Sequence, residues 1–384
     1  MEKRTVYFDN AATTPLDPEV ITVMYEAMQR YFGNPSSIHG PGREVRSQIE
    51  KVRKKVSAYL NCSPSEIFFT SGGTEADNMS ILCAVRDLHI KHVISSPLEH
   101  HAVLHTLEHL HQAGEIELSI VKTDSCGRVD LEDLEKLLDR PDRSLVCLMH
   151  ANNETGTMID LEKVGELCSA QNAVFQTDTV QTMGHYAFDL KKIKVDLLTC
   201  AAHKMHGPKG VGFIYVRNTI KLKPFIHGGS QERNMRGGTE NVYGIIGLSK
   251  ALDLAYEHLD EHQQYIQELK AYMLHALKNS VAGIEVNGCT DSSESLYTVL
   301  NVSLPAHEMG DMLLFNLDIN GIAASGGSAC ASGSSQGSHV LNALGVSADR
   351  ASVRFSFSRH NTREDVDYVV AKLAELTRIQ ETAH

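Results

Sequence analysis

A chain of 384 residues, 42% hydrophobic and 22% charged, has the make-up of a globular protein in water. Its length predicts two domains rather than a single core. The formal charge of -12, from 36 basic and 48 acidic residues, excludes broad contact with nucleic acid, and no stretch approaches the apolar length of a membrane span.

The N-terminus, Met1 to Phe8, has no apolar signal region, which predicts a cytoplasmic protein. A probable strand at Thr5 to Phe8 runs into the polar loop Asp9-Asn10-Ala11-Ala12-Thr13-Thr14-Pro15. Asp17-Pro18-Glu19 reads as a helix start, with a cap, a first-turn proline and an acid near the dipole. Asn34-Pro35-Ser36-Ser37 is a second polar loop. Val45, Ile49, Val52, Val56 and Leu60 then recur at helical spacing. The strand Ile67 to Thr70 is followed by Ser71-Gly72-Gly73-Thr74-Glu75 and a helix. These are the parts of a phosphate cradle, although a plain strand-to-helix turn fits as well.

Strand and helix keep alternating. His92 to Ser96 is a strand, and Glu99-His100-His101 opens a helix whose His101, His105 and His109 form a solvent-facing stripe. Further strands are expected at Ile116 to Val121, Leu145 to Met149 and Ala173 to Gln176. Ligands of open α/β sheets sit at the carboxyl ends of strands, where Thr74, His100, Asn153, Asp178 and Lys204 would gather. Lys204 lies in a small-residue turn between the apolar runs Val195–Leu198 and Val211–Val216. A lysine desolvated there has a lowered pKa and suits covalent chemistry; the stretch alone also fits a lysine reaching back to solvent.

A polar loop from Pro224 to Thr239 is too long for a simple connection. One long helix, 242–279, is expected to lead into an α+β region. The eight cysteines are widely spaced without Cys-x-x-Cys, so neither a metal site nor a disulfide framework is expected. Cys330 stands apart. In Ala323 to Ser338 every residue except Cys330 and Gln336 is Ala, Ser or Gly, a composition that predicts a mobile arm carrying one nucleophile.

The ordered blocks Tyr7–Pro15, Phe32–Pro35, Thr70–Glu75, Glu99-His100, Asn152–Glu154, Asp178–Gln181, His203-Lys204, His227–Gly229, Arg236–Thr239, Gly327–Cys330 and Arg354–Ser356 span nearly the whole chain. On these blocks the sequence resembles the NifS/IscS-type cysteine desulfurases, class V aminotransferases among the fold-type I pyridoxal-phosphate enzymes. The resemblance implies an α/β fold: a large domain (16-255) with a mainly parallel seven-stranded sheet flanked by helices, and a smaller α+β domain (1-15 and 256-384). It implies that Lys204 holds pyridoxal 5'-phosphate and shuttles protons. Asp178 would pair with the ring nitrogen, Gln181 with the phenolic oxygen, and His100 would stack on the ring and assist proton transfer. Gly73, Thr74 and His203 would bind the phosphate, joined by Thr239 from the other subunit of a homodimer. Asn34, Asn153 and Arg354 would orient L-cysteine, with Asn153 also contacting the cofactor. Cys330 would take its sulfur as a persulfide, releasing L-alanine, and pass it to an acceptor: an iron–sulfur scaffold, a sulfur relay or a tRNA-thiolation protein.

Three departures from the family pattern stand out. Ala201 replaces a frequent serine at the phosphate, Ser334-Ser335-Gln336-Gly337 replaces a Leu-Glu-Pro pattern, and the chain stops at His384 without the longer tail of IscS-type members. The residues leave open a selenocysteine lyase, another class V lyase or aminotransferase, and a non-catalytic sulfur-transfer scaffold.

Overall fold

The computed structural model describes residues 5–305, 312–326 and 337–378. The chain enters through β1 (Val6–Tyr7), α1 (Pro18–Arg30) and α2 (Gly40–Tyr59). It then alternates through β2 (Ile67–Thr70), α3 (Gly73–Asp87), β3 (His92–Ser95), α4 (His101–Gln112), β4 (Glu117–Ile120), α5 (Leu131–Leu138), β5 (Ser144–Cys147), α6 (Leu161–Ala170), β6 (Val174–Asp178), β7 (Leu197–Ala201) and β8 (Gly212–Val216). Helices α7 (Val242–Glu257) and α8 (Leu259–Ser280) lead to β9 (Glu285–Val286), β10 (Val299–Leu304), α9 (Leu313–Ile319), β11 (Ile322–Ala323), α10 (His339–Ala343), β12 (Ala351–Ser356) and α11 (Arg363–Arg378).

Seven strands form one sheet in the order β2-β8-β7-β6-β5-β3-β4. Its pairs are parallel except where β8 runs antiparallel to both neighbours. Strands β3, β5, β6 and β7 are buried along their whole length, because helices cover both faces of a parallel sheet. This is the α/β fold with a mainly parallel seven-stranded sheet that the resemblance implies. One core packs against this sheet with residues between Val20 and Leu254. A second core joins Val6 and Phe8 to residues between Ile266 and Ala374, with Phe8 edge-on to Phe355 and Phe357.

The expected cap at Asp17 forms, accepting from the Glu19 N–H at 2.8 Å, and at α11 Thr362 and Asp365 cap each other's N–H groups. The single helix expected over 242–279 is two helices, broken at His258 (φ -119°, ψ 26°). The physical reason lies in the packing. Leu248 and Leu252 of α7 belong to the first core, whereas Ile266, Leu269 and Met273 of α8 belong to the second. Along α4, His105 and His109 are exposed, and His101 stacks on His105 with ring centroids 4.6 Å apart.

Candidate active site

Strands β6 and β7 are parallel neighbours, so Asp178 and the turn after Ala201 emerge on the same side of the sheet. A 3-10 turn, Ala202–Lys204, then brings His203 and Lys204 to the sheet edge. The N-terminal loop is laced onto this turn. The His203 carbonyl accepts from Thr14 N at 2.9 Å and from Thr14 Oγ1 at 3.0 Å, and the His206 carbonyl accepts from Asp17 N at 3.1 Å. That lacing sets the carbonyls of Ala11 and Ala12 against Lys204, whose Nζ donates to both.

Gly73, Thr74, His100, Asn153, Asp178, Gln181, His203, Lys204 and Arg354 all line one cavity of ≈ 260 Å³. At one end Gly72 (φ +151°) precedes α3 as a cap without a side chain, leaving the helix's first N–H groups and its positive dipole end for an anion. A Cβ at Gly73 would lie 2.8 Å from Val180 Cγ2, so glycine lets this helix start seat against Val180. Ala201 is buried at the same end and supplies no hydroxyl. His203 bonds Thr13 Oγ1 through Nδ1 at 3.1 Å, and burial holds its pKa down at about 4, so the ring is neutral.

In the middle of the cavity, Asp178 Oδ1 accepts from Val180 N at 2.7 Å. Burial raises its pKa to about 6, opposed by the Val180 N–H and the Lys204 charge. Asp77 lines the same cavity and accepts from Thr199 Oγ1 at 2.8 Å and from Gln176 Nε2 at 3.3 Å. Burial first, and then the charge of Asp178, push Asp77 well above the usual carboxylate range. Both buried, the two carboxyls resist ionising together. His100 caps α4 by accepting the Ala102 N–H on Nδ1 at 3.1 Å, so its proton sits on Nε2. Burial, then Lys204, lower its pKa to about 4. Gln181 donates to the Ala11 carbonyl at 3.1 Å.

At the far end, Arg354 is only 1% exposed. Its Nη2 meets Asp9 Oδ1 at 2.9 Å and its Nη1 donates to the Asn153 carbonyl at 2.9 Å, while Nε is buried without a partner. A buried guanidinium with an unused N–H suits a small carboxylate. Asp9 also accepts from Ser325 Oγ at 2.7 Å.

Asn34 and Thr239 are not brought to this cavity by the chain's own fold. Asn34 is exposed, its side chain turned onto Ser36 N at 2.9 Å, and Thr239 is exposed beside a separate hollow with Glu232 and Arg236. Cys330 lies outside the described residues. The chain on either side of it is fastened close by: Arg354 N donates to the Ser325 carbonyl at 2.6 Å, Ser338 Oγ donates to Glu154, and His339 Nε2 bonds the Glu99 carbonyl at 3.0 Å. Sequence reasoning missed Asp77 and the Asp9–Arg354 pair as site elements. An acid near the start of a helix reads as ordinary, and nothing local marks Asp77 as buried.

The sequence matches the aminotransferase class-V family over residues 6–369. It is 42% identical over 378 residues to a cysteine desulfurase IscS of Dictyoglomus turgidum, covering 97% of this chain and 95% of that protein. Among solved structures, a NifS-like protein superposes with a TM-score of 0.90 at 38% identity, covering 98% of this chain and all (100%) of the other. SspA, solved in complex with cysteine, superposes with a TM-score of 0.81 at 30% identity over 93% of this chain and 100% of its own. The chain belongs to the class-V aminotransferase family and, within it, to the pyridoxal-phosphate-dependent cysteine desulfurases.

Proposed function

We propose that the Lys204 cavity takes sulfur from L-cysteine and that Cys330 collects it as a persulfide, with L-alanine leaving. One observation carries the reading: a lysine, a buried carboxyl, an uncapped helix start and a guanidinium with an unused N–H converge on one cavity. These groups fit pyridoxal phosphate part by part. The Gly73 backbone, Thr74 and His203 would hold its phosphate, Asp178 its ring nitrogen, Gln181 its phenolic oxygen, His100 its ring face and Lys204 its reactive carbon. When bound, the cofactor supplies an electron sink for the pair left at the substrate α-carbon.

Arg354 grips the cysteine carboxylate, and Asn153 orients the amino acid. Lys204 Nζ removes the α-proton and returns a proton to the substrate skeleton, while neutral His100 assists transfer through Nε2. The Cys330 thiolate then attacks the substrate sulfur. An S–S bond forms, the substrate C–S bond breaks, and its electron pair is protonated on carbon to yield alanine. The fastening of Ser325 and Ser338 beside the cavity supports delivery from this stretch.

The exposed position of Thr239 supports its contribution to a second copy's phosphate site in a homodimer. So does an apolar stripe at helical spacing from α1 onward, Ile21, Tyr25, Met28 and Phe32, with Phe32 78% exposed. The two cores support a domain of 16–255 and one of 1–15 with 256–384. The persulfide passes to an acceptor protein, an iron–sulfur scaffold, a relay or a tRNA-thiolation protein, in the cytoplasm. Among the described residues no helix is long and apolar enough to cross a membrane. Cys330→Ala is expected to keep cofactor and cysteine binding yet yield neither alanine nor sulfide; undiminished alanine release would overturn the role of Cys330. Lys204→Ala is expected to lose the visible absorbance of lysine-bound cofactor, and its persistence would rule out this anchor.

A further inference from the structure

Arg354 is bonded, through a single carboxylate oxygen, to the chain that leads to Cys330. Beyond the parallel pair β1 and β11 the two chains run on beside β12. Phe8 N donates to the Ala323 carbonyl at 2.9 Å, and Asp9 and Ser325 each form one β-bridge, to Ser356 and to Arg354. Arg354 N donates to the Ser325 carbonyl at 2.6 Å, and Ser325 N returns a bond to the Arg354 carbonyl at 3.3 Å. Their side chains then meet on Asp9. Its Oδ1 accepts from Ser325 Oγ at 2.7 Å and from Arg354 Nη2 at 2.9 Å.

We propose that Asp9 is a positioning residue that ties Arg354 to the approach of Cys330, with Ser325 as the other half of the tie. The inference rests on the reading of Arg354 as the carboxylate grip and of Cys330 as the sulfur acceptor. The second arm of the same guanidinium points to the downstream fastening. Nη1 donates to the Asn153 carbonyl at 2.9 Å, and the next residue, Glu154, accepts the Ser338 hydroxyl. Covalent reach makes the upstream anchor the tighter one. Ser325 stands five residues before Cys330 and Ser338 eight after it. At about 3.6 Å per residue, those anchors confine the thiol to within about 18 Å and about 29 Å.

The tie matters because sulfur transfer needs the thiol and the substrate placed against each other. A misplacement of about 1 Å costs on the order of 100-fold in rate. A hydroxyl and a guanidinium both bonding a carboxylate make charge-assisted contacts, stronger than neutral ones. Arg354 is 1% exposed and Asp9 21%, so the shared oxygen lies at the inner end of the approach. Ser325→Ala cuts the tie and leaves the ion pair intact. Substrate binding and sulfur transfer should therefore separate, whereas a residue that only held the fold would disturb both.

Rapid mixing of the full-length holoenzyme with L-cysteine separates the two steps. The absorbance change of the bound cofactor reads cysteine binding, and quenched single turnovers read alanine. Ser325→Ala is expected to bind cysteine within about twofold of the unsubstituted affinity, yet to form alanine about tenfold more slowly or worse at saturating cysteine. Ser325→Thr, which keeps the hydroxyl, is expected to recover most of that rate. Adding Ser325→Ala to Asp9→Ala should slow alanine formation no further, because both changes break the same bond. Transfer by Ser325→Ala at the unsubstituted rate would overturn the tie, as would a Ser325→Thr no faster than Ser325→Ala, or multiplied effects in the double variant. In the cofactor-free protein, hydrogen exchange at the Arg354 amide should quicken about fivefold or more in Ser325→Ala, and unchanged exchange would overturn the tie as well. Undiminished alanine release by Cys330→Ala would instead sink the acceptor reading, leaving the exchange measurement to judge the bond between Asp9 and Ser325.

Discussion

The loop before Thr239 is held by a buried ion pair, and breaking that pair should have a large and specific effect. Arg53 on α2 and Glu232 have side chains only 2% and 3% exposed. They meet in a two-pronged contact, Nη1–Oε2 at 2.7 Å and Nη2–Oε1 at 2.9 Å. Glu232 Oε2 also accepts the Phe69 N–H at 2.8 Å, and the guanidinium lies over the Phe69 ring, 4.8 Å from its centroid. Glu232, Arg233 and Asn234 are consecutive left-handed residues (φ 43°, 56° and 65°), a conformation that costs roughly 1–2 kcal/mol per non-glycine residue and persists only when its surroundings enforce it.

Glu232→Gln keeps the shape and removes the charge. Arg53 is then left with Glu50, whose side chain is 39% exposed, as its remaining anionic partner. Removing one member of a buried pair costs about 3–5 kcal/mol, mostly as the uncompensated charge left behind. Urea unfolding of the full chain at fixed protein concentration measures that loss. The double replacement Arg53→Met with Glu232→Leu should lose less than the sum of the single changes by about 2 kcal/mol or more, because no charge is stranded. A loss below about 1 kcal/mol for Glu232→Gln, or strict additivity, would refute the reasoning.

Arg354→Lys loses the planar fork but keeps the charge; at about 1.5–3 kcal/mol for a charge-assisted contact, KM for cysteine should rise about 10- to 100-fold with cofactor absorbance intact, and an unchanged KM would exclude carboxylate binding there. Gly73→Ala forces a Cβ to within 2.8 Å of Val180 Cγ2, so equilibrium titration should show cofactor affinity weakened about tenfold, consistent with an overpacking cost of about 1–3 kcal/mol; unaltered affinity would contradict the close seating of α3. His150 is 8% exposed and bonded to Thr182 Oγ1, and burial lowers its pKa from 6.5 to about 4. Between those values the unfolded chain binds a proton that the folded chain refuses, so stability rises with pH across the window and is lost as pH falls. At pH 5 the loss from this group is about 2 kcal/mol relative to neutral pH, and His150→Gln should flatten that part of the urea-midpoint profile; an unaltered profile would show that His150 does not set it.

Much of the site was legible because its parts sit where local rules are strong. Buried parallel strands read as apolar runs, and Gly72, Asp178 and Lys204 stand just beyond such runs, where the chain must turn. The helix break at His258 was not legible, since neither glycine nor proline marks it and only membership of two different cores bends the axis there. Asp77 was equally silent. It is an ordinary polar residue in its local setting, and it gains its role from Asp178, far along the chain.

By itself, the sequence determined the alternating α/β plan, the lysine turn and the small-residue stretch around Cys330, because backbone propensity and apolar periodicity are properties of short segments. Only the tertiary structure decided which charges are buried and which way they point. Asp9 pairs with the buried Arg354, burial and Asp178 push Asp77 well above the usual carboxylate range, and Thr14 grips the lysine turn. Those outcomes depend on desolvation and on hydrogen bonds that close loops of more than a hundred residues, and no local window of sequence contains both ends of such a bond.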